Sequence, residues 1–266
     1  MNKFMEFLNG QMPTPTLYGW FHLLFLAITT ALCILVVIKG RKTSDKADRA
    51  IILSFAIICI VLETYKQLNF SYNNGWNYQW YAFPFQFCSS PIYIALLAGI
   101  FNKGKFNNAL RMFLGTFGLF AGLTVMFYPG DVFISTIGIN IQTMVWHGGM
   151  VVIGLYCLVS GRLQFTIKQF FSGVLVFVVL VAIAITLNIV VYNSGVLNGE
   201  TFNMFFISPY FTCTLPVLNL FQHLPYPIFV LIYILGFILA AFITFVIPYT
   251  ISKKSKKAVL KDTNQS

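Results

Sequence analysis

Long apolar runs separated by short polar gaps dominate this chain. Seven runs have the length of about 20 residues that a helix needs to cross the hydrocarbon core of a bilayer. The runs are 17–38, 50–69, 83–101, 110–128, 141–159, 170–192 and 228–249. The pattern predicts an all-α polytopic integral membrane bundle of seven transmembrane helices, with no soluble domain beside it.

The basic residues give the predicted helices a direction. Fifteen of the 17 Lys and Arg residues lie in every second gap between the apolar runs. These gaps are 39–49, 103–111, 162–168 and 253–261. Because loops rich in Lys and Arg stay in the cytoplasm, we expect the N-terminus outside and the C-terminus in the cytosol. The predicted organisation is an outer segment 1–16, a transmembrane domain 17–249 and a basic tail 250–266.

Composition narrows the class of protein further. The chain is 58% apolar and only 9% charged, as membrane proteins are. The net charge of +10 collects on one predicted face, which favours anionic lipid headgroups over nucleic acid. The five Cys show no metal-ligand spacing, and four lie in predicted spans, so no metal or cofactor is expected. We expect a multi-pass protein of the cell membrane, bacterial in origin.

Two features predict how the helices and loops pack. Gly118 and Gly122 have the spacing of small residues that let two membrane helices approach closely. The longest predicted outer loop, 193–227, is apolar and interrupted by Pro. Because irregular backbone at membrane depth must be satisfied by protein or water, we expect this loop to fold over the outer face or to re-enter the bundle.

The predicted topology places several polar residues at one depth. Glu63, Lys66, Cys88 and His147 come from three predicted spans, and all four lie in the outer part of the bilayer. Ionisable groups in membrane helices usually face the bundle interior or a water-filled cavity. Glu63 and Lys66 have the i,i+3 spacing of an ion pair. The pair could be a purely structural ion pair, or it could bind a polar headgroup of a substrate. The two interpretations are compatible.

Cys88 lies at a predicted break in its helix. Pro84 and Pro91 flank it, and Ser89 follows it. A Cys in an apolar helix is usually a packing residue, but a broken helix also leaves backbone N–H groups free to stabilise an oxyanion. A single His in a membrane helix, such as His147, often makes its hydrogen bond to a neighbouring carbonyl and has only a structural role. If the two side chains meet, His147 could accept the thiol proton and generate a nucleophilic thiolate.

Three stretches resemble a known family. They are Phe83-Pro-Phe-Gln-Phe-Cys-Ser-Ser, Trp146-His-Gly and the run from Asn203 to Pro209. The first resembles the Pro-Leu-His-Leu-Cys-Ser segment of the YwaF / transmembrane protein 164 family of integral membrane proteins. The resemblance implies a fatty acyl transferase that acts on lysophospholipids, with Cys88 as nucleophile and His147 as base. Gln86 stands where this family often has His.

These observations lead to a first functional hypothesis, a phospholipid or fatty-acyl transferase or an acyl-ester hydrolase that works from the outer leaflet. Its expected partners are membrane lipid and a lysophospholipid or acyl substrate. In this hypothesis Glu63 and Lys66 position the headgroup. Hydrogen-bond donors would come from Gln86, Ser89 and the loop near Asn203.

The alternative hypothesis is a non-catalytic transporter or binding protein for a small polar solute. A third is an assembly partner that binds another protein through its outer loops. A lateral opening to lipid would favour the enzyme, whereas a cavity continuing toward the cytosol would favour the transporter. Oligomeric state is left open by the sequence.

Overall fold

A computed structural model describes residues 2–130 and 132–263, and these residues form helices and loops without a β-strand. The helices are α1 (Asn2–Leu8), α2 (Trp20–Lys39), α3 (Asp45–Asn73), α4 (Ser90–Ile100), α5 (Gly104–Phe113), α6 (Leu119–Phe127), α7 (Ile137–Val159), α8 (Ile167–Asn193) and α9 (Tyr226–Thr263). A π-helical turn, Leu114–Gly118, joins α5 and α6 into one continuous helix. The all-α fold predicted from the sequence is confirmed.

Five of the described helical segments are long and apolar enough to cross a membrane. They are α2, the joined α5 and α6, α7, α8 and α9. The other two predicted spans correspond to α3, which has 29 residues, and to the short apolar α4. The polytopic helical architecture is therefore confirmed, while the count of seven spans and the orientation of the termini stay predictions.

The joined α5 and α6 pack against α7 at the centre of the bundle. Gly122 makes this approach possible, since a Cβ there would lie 2.8 Å from the His147 carbonyl oxygen and 2.9 Å from the Met150 Cβ. Both distances are shorter than van der Waals contact. The close packing predicted from the glycine spacing is thus present, and it fixes the position of His147 relative to α6.

The helices run between two chemically different ends. At one end, Asp45 forms ion pairs with Lys103 and Arg162, which brings three of the basic gaps together. We call this the basic end. The opposite end, formed by the loops that contain residues 74–89 and 194–225, is rich in aromatic side chains and is called the aromatic end. The predicted topology assigns the basic end to the cytosol.

The predicted third span differs from a continuous helix. Its first residues form a 3-10 turn, Phe87–Ser89, and α4 begins only at Ser90. Pro91 lies in the first turn of α4, where its missing N–H leaves no hydrogen bond unmade. Pro84 has no N–H either, and its carbonyl accepts a hydrogen bond from the Tyr93 hydroxyl. The two prolines therefore place Cys88 on irregular backbone beside a helix end.

The loop from 194 to 225 packs into the aromatic end instead of extending away from it. Phe202, Met204 and Phe205 are fully buried. The Asn188 amide holds the backbone of Met204, donating to its carbonyl at 3.0 Å and accepting from its N–H at 2.7 Å. Phe205 and Phe206 adopt positive φ angles of 59° and 57°, which side chains other than Gly rarely take. Specific contacts therefore determine the path of this loop.

Candidate functional site

Cys88 lies in the 3-10 turn that precedes α4, at the aromatic end of the bundle. The Trp146 indole N–H donates a hydrogen bond of 2.9 Å to the Cys88 carbonyl oxygen. Cys88 also packs against a buried cluster that contains Cys59, Trp146 and Met150. The start of α4 is therefore tied to α7 through the residue directly before His147.

His147 is buried on α7, ten residues and so about 15 Å from the helix start. Its Nδ1 lies 2.8 Å from the Thr143 carbonyl oxygen. Because a carbonyl can only accept, Nδ1 carries the proton, and Nε2 of the neutral ring is free to accept one. Within the described residues, no hydrogen bond joins this ring to the Cys88 thiol. A direct Cys88–His147 pair stays a prediction.

Glu63 and Lys66 form the ion pair that their spacing predicts, with 2.9 Å between Oε1 and Nζ. The Gln67 amide donates to the same Glu63 oxygen at 2.6 Å and to the Ala82 carbonyl at 2.7 Å. The other Glu63 oxygen, Oε2, is buried and has no partner among the described residues. Cys59, one helical turn before Glu63 on α3, packs in the same cluster as Cys88 and Trp146, and Trp146 directly precedes His147. These four predicted residues thus share one region.

Gln86 and Asn203 lie together, but both serve the loop of the aromatic end. The Gln86 side chain donates to the Asn203 carbonyl at 3.0 Å and accepts from the Phe205 N–H at 2.9 Å. The Asn203 side chain bonds the Thr212 carbonyl and the Ser208 N–H. Ser89 is buried beside Cys88. Their predicted contribution to substrate binding stays a prediction, and the described contacts assign Gln86 and Asn203 to loop anchoring.

A loop tyrosine lies close to the charged part of this region. Burial, together with the negative charge of Glu63, raises the pKa of the Tyr78 hydroxyl to about 12. Tyr78 therefore stays a neutral hydrogen-bond donor at physiological pH. The loop that carries it precedes the 3-10 turn Trp80–Ala82, whose Ala82 carbonyl accepts the hydrogen bond from Gln67.

The remaining His and Cys residues have ordinary structural settings. His22 is fully buried, and its ring nitrogens bond the Met126 carbonyl at 2.7 Å and the Tyr18 N–H at 3.0 Å. Its packing interpretation fits this contact between α2 and the end of α6. All five Cys are free thiols. Burial raises the pKa of the Cys213 thiol in the aromatic-end loop, which keeps that sulfur protonated.

Comparison with family sequence models finds the TMEM164 family over residues 17–256. The chain belongs to the TMEM164 family. Searches of the curated proteins and of the solved structures each find no match. Family membership and the long apolar helices together establish a multi-pass membrane protein.

One polar side chain near Cys88 in this TMEM164 family member is not evident from the sequence. Tyr233 on α9 is fully buried, and its hydroxyl has no partner among the described residues. Its ring centroid lies 4.6 Å from that of Phe237, which in turn lies 4.7 Å from that of Phe87. Because Tyr233 is one of 13 tyrosines and lies within an apolar run, its sequence context gives no signal.

The sequence pattern also does not predict a buried charge cluster that lies at the basic end. Arg111 is 1% exposed and binds Asp48 with both terminal nitrogens, at 3.0 and 2.5 Å. The Tyr156 hydroxyl donates to Asp48 at 2.7 Å, and the Arg162 Nε lies 3.4 Å from the same oxygen. The sequence pattern groups Arg111 with exposed topology signals. In the TMEM164-family fold it is instead a core residue that joins α3, α5 and α7.

Proposed function

We propose that this TMEM164 family member cleaves fatty acyl esters of membrane lipids and transfers the acyl group, with Cys88 as the nucleophile and His147 as the base. One observation carries the proposal. A thiol at a helix break lies in the same buried region as a His with an unprotonated Nε2 and an ion pair with an unsatisfied carboxylate oxygen. Such an assembly costs free energy in an apolar interior and is typical of a site that meets a polar ligand.

The reaction would follow the chemistry of Cys–His acyl transfer. The Cys88 thiol gives its proton to His147 Nε2, and the thiolate sulfur attacks the ester carbonyl carbon. The ester C–O bond breaks, the leaving alkoxide takes the proton from His147, and a thioester remains on Cys88. A hydroxyl group of a lysophospholipid, or water, then attacks the thioester while His147 accepts its proton and returns it to the thiolate. Contacts of this kind commonly tighten only when substrate binds.

The charged residues supply the headgroup contacts in this proposal. The Lys66 ammonium would bind a phosphate oxygen and would also stabilise the nearby thiolate. The free Glu63 Oε2 would accept a hydrogen bond from a headgroup donor. The Gln67 amide supports this arrangement by holding Glu63 Oε1 against the Ala82 carbonyl.

The residues between this region and the basic end favour a lipid substrate over transport of a small polar solute. Ile52 and Ala56 on α3 and Met150 on α7 occupy that depth, and all three are fully buried. A polar solute would need partners along its path, since unsatisfied polar groups are costly in an apolar interior. We therefore propose no transport function.

An acyl-ester activity probe tests the mechanism. The full-length protein in lipid nanodiscs is treated with a thiol-reactive fatty-acyl probe, and the labelled residue is identified by peptide mass spectrometry. We expect labelling of Cys88, a loss of more than tenfold in Cys88→Ala and a slower rate in His147→Gln. Cys33→Ala, which removes a thiol from α2, is the matched control and should keep the wild-type rate. Undiminished labelling in Cys88→Ala would rule out the proposed nucleophile.

A further inference from the structure

An elongated groove of about 470 Å³ lies between α2, α3 and α7. Its lining is almost entirely apolar and comes from all three helices. The lining residues are Phe25, Ile28, Thr29, Leu32, Val36, Ala50, Ile51, Ser54, Phe55, Ile58, Cys59, Met144, Val145, Gly148, Gly149, Val152, Ile153 and Tyr156. The groove contains neither charged residues nor any of the predicted site residues.

The shape of the groove limits what can occupy it. The lining runs from Phe25 to Val36 on α2 and from Met144 to Tyr156 on α7. At 1.5 Å per residue these stretches are about 16 and 18 Å long. That length suits an extended hydrocarbon chain lying between the three helices.

Small residues line two walls of the groove. They are Gly148 and Gly149 on α7 and Ala50 and Ser54 on α3. The two glycines let the neighbouring helices approach α7, because a Cβ at Gly148 would lie 2.5 Å from the Thr29 Oγ1 and one at Gly149 would lie 3.0 Å from the Phe55 ring. A larger side chain at these positions would fill the groove or force its walls apart.

The groove opens to the side of the bundle. Ile28, Leu32 and Ile58 line it and are 45%, 44% and 51% exposed. Ile28 and Leu32 lie on α2, which is long and apolar enough to cross a membrane, so the medium at this opening is lipid hydrocarbon. A lipid chain can therefore enter sideways without passing through water.

The two ends of the groove differ in chemistry. At the end nearer the aromatic loops, Gly148 follows His147 directly, and Cys59 packs in the same cluster as Cys88 and Trp146. At the other end Tyr156 lines the groove, and its hydroxyl donates a hydrogen bond to Asp48 of the buried charge cluster. One end thus lies beside the proposed site, and the other lies against this cluster.

We infer that this groove binds one acyl chain of a membrane lipid, with the ester end at the Cys88–His147 region and the chain end pointing toward Tyr156. The position of the ester rests on the proposed function. Occupancy of the groove by an acyl chain rests only on the shape, lining and lateral opening described above. The groove would hold the chain that the site cleaves or receives and would limit its length.

Photo-crosslinking tests the inference directly. The full-length protein is reconstituted in phosphatidylcholine vesicles that contain a phosphatidylcholine with a diazirine on one acyl chain, and crosslinked residues are mapped by mass spectrometry. We expect crosslinks concentrated on groove-lining residues of α2, α3 and α7. Ser54→Trp, which places a large ring in the groove, should lower them at least threefold. Ile57→Trp, on the same helix, 55% exposed in the wild type and outside the lining, should leave them unchanged.

The outcomes separate the groove from the proposed enzyme. Groove crosslinks that persist in Cys88→Ala support the inference even if no acyl transfer is found. Crosslinks spread evenly over the lipid-facing helices, or equal in Ser54→Trp and wild type, would overturn it. In a parallel experiment with a bifunctional protein crosslinker, links between two copies along α2 and α3 would overturn it as well, since they would show that protein covers this face.

Discussion

At the scale of single residues, the chain keeps its polar groups paired where they have a structural role and leaves two atoms unpaired near Cys88. Asp48 accepts from two other side chains, Arg111 and Tyr156, and lies against a third, Arg162. By contrast, Glu63 Oε2 and the Tyr233 hydroxyl are buried without a partner among the described residues. Because an unmade hydrogen bond in an apolar interior costs about 1–3 kcal/mol, the two unpaired atoms are the ones most in need of a ligand.

The Asp48–Arg111 contact makes a stability prediction at this scale. Arg111→Met removes the bidentate partner and leaves a buried carboxylate with less compensation, so we expect a loss of about 3–5 kcal/mol in the free energy of unfolding. Lys105→Met, an exposed position on the same helix, should change it by less than about 0.5 kcal/mol. Reversible unfolding in detergent measures both.

A double-mutant cycle separates this contact from general damage to α5. If the contact is responsible, adding Asp48→Asn to Arg111→Met should cost much less than Asp48→Asn costs alone, because the pair is already broken. Strictly additive losses would contradict the assignment of Arg111 to this cluster.

At the scale of elements, the region around Cys88 depends on pieces that are not regular helix. The 3-10 turn Phe87–Ser89 and the loop after α8 meet through the Gln86 side chain. The loop contains two consecutive residues at positive φ, and each such residue costs about 1–3 kcal/mol unless its surroundings enforce it. Gln86 and Asn188 supply that enforcement by binding the backbone of residues 203–205.

Gln86→Leu tests this anchoring. The change removes both hydrogen bonds to the loop backbone while keeping a similar volume, so residues 202–212 should open more often. We expect their amide hydrogen exchange to rise by at least tenfold, as measured by mass spectrometry in nanodiscs. Gln164→Leu, at an exposed loop position of the basic end, is the control. Unchanged exchange in Gln86→Leu would mean that packing of the buried Phe residues alone holds the loop.

At the scale of the whole molecule, the bundle has a basic end held together by a buried charge cluster and a loop-covered aromatic end. The proposed site lies nearer the aromatic end, and the groove between α2, α3 and α7 lies beside it. This arrangement suits a substrate that stays in the membrane, because neither its chain nor its ester has to cross the bundle. The orientation of the ends decides which leaflet supplies the substrate.

Accessibility labelling tests the predicted orientation. In a Cys-free background, Ser194→Cys at the aromatic end and Gln164→Cys at the basic end are treated with a membrane-impermeant maleimide. We expect the first to react in intact cells and the second only after permeabilisation, because the Lys- and Arg-rich loops stay in the cytoplasm. The reverse pattern would place the proposed site in the inner leaflet.

The sequence by itself determined the helical membrane fold, the approximate extent of most spans and the family. These properties follow from local signals: the length of apolar runs, the distribution of Lys and Arg, and short motifs around Cys88, His147 and Asn203. The break before α4 was also predictable, since Pro84 and Pro91 act on the backbone where they stand. Such features need no knowledge of which helices are neighbours.

Only the tertiary structure decided which polar side chains find partners. Asp48 meets Arg111 and Tyr156 from 63 and 108 positions away, and Gln86 meets the loop 117 positions on. The acyl groove likewise exists only because α2, α3 and α7 lie side by side with small residues facing one another. The physical reason is the same in each case: contacts between helices depend on how apolar surfaces pack, and any one stretch of sequence carries only half of each contact.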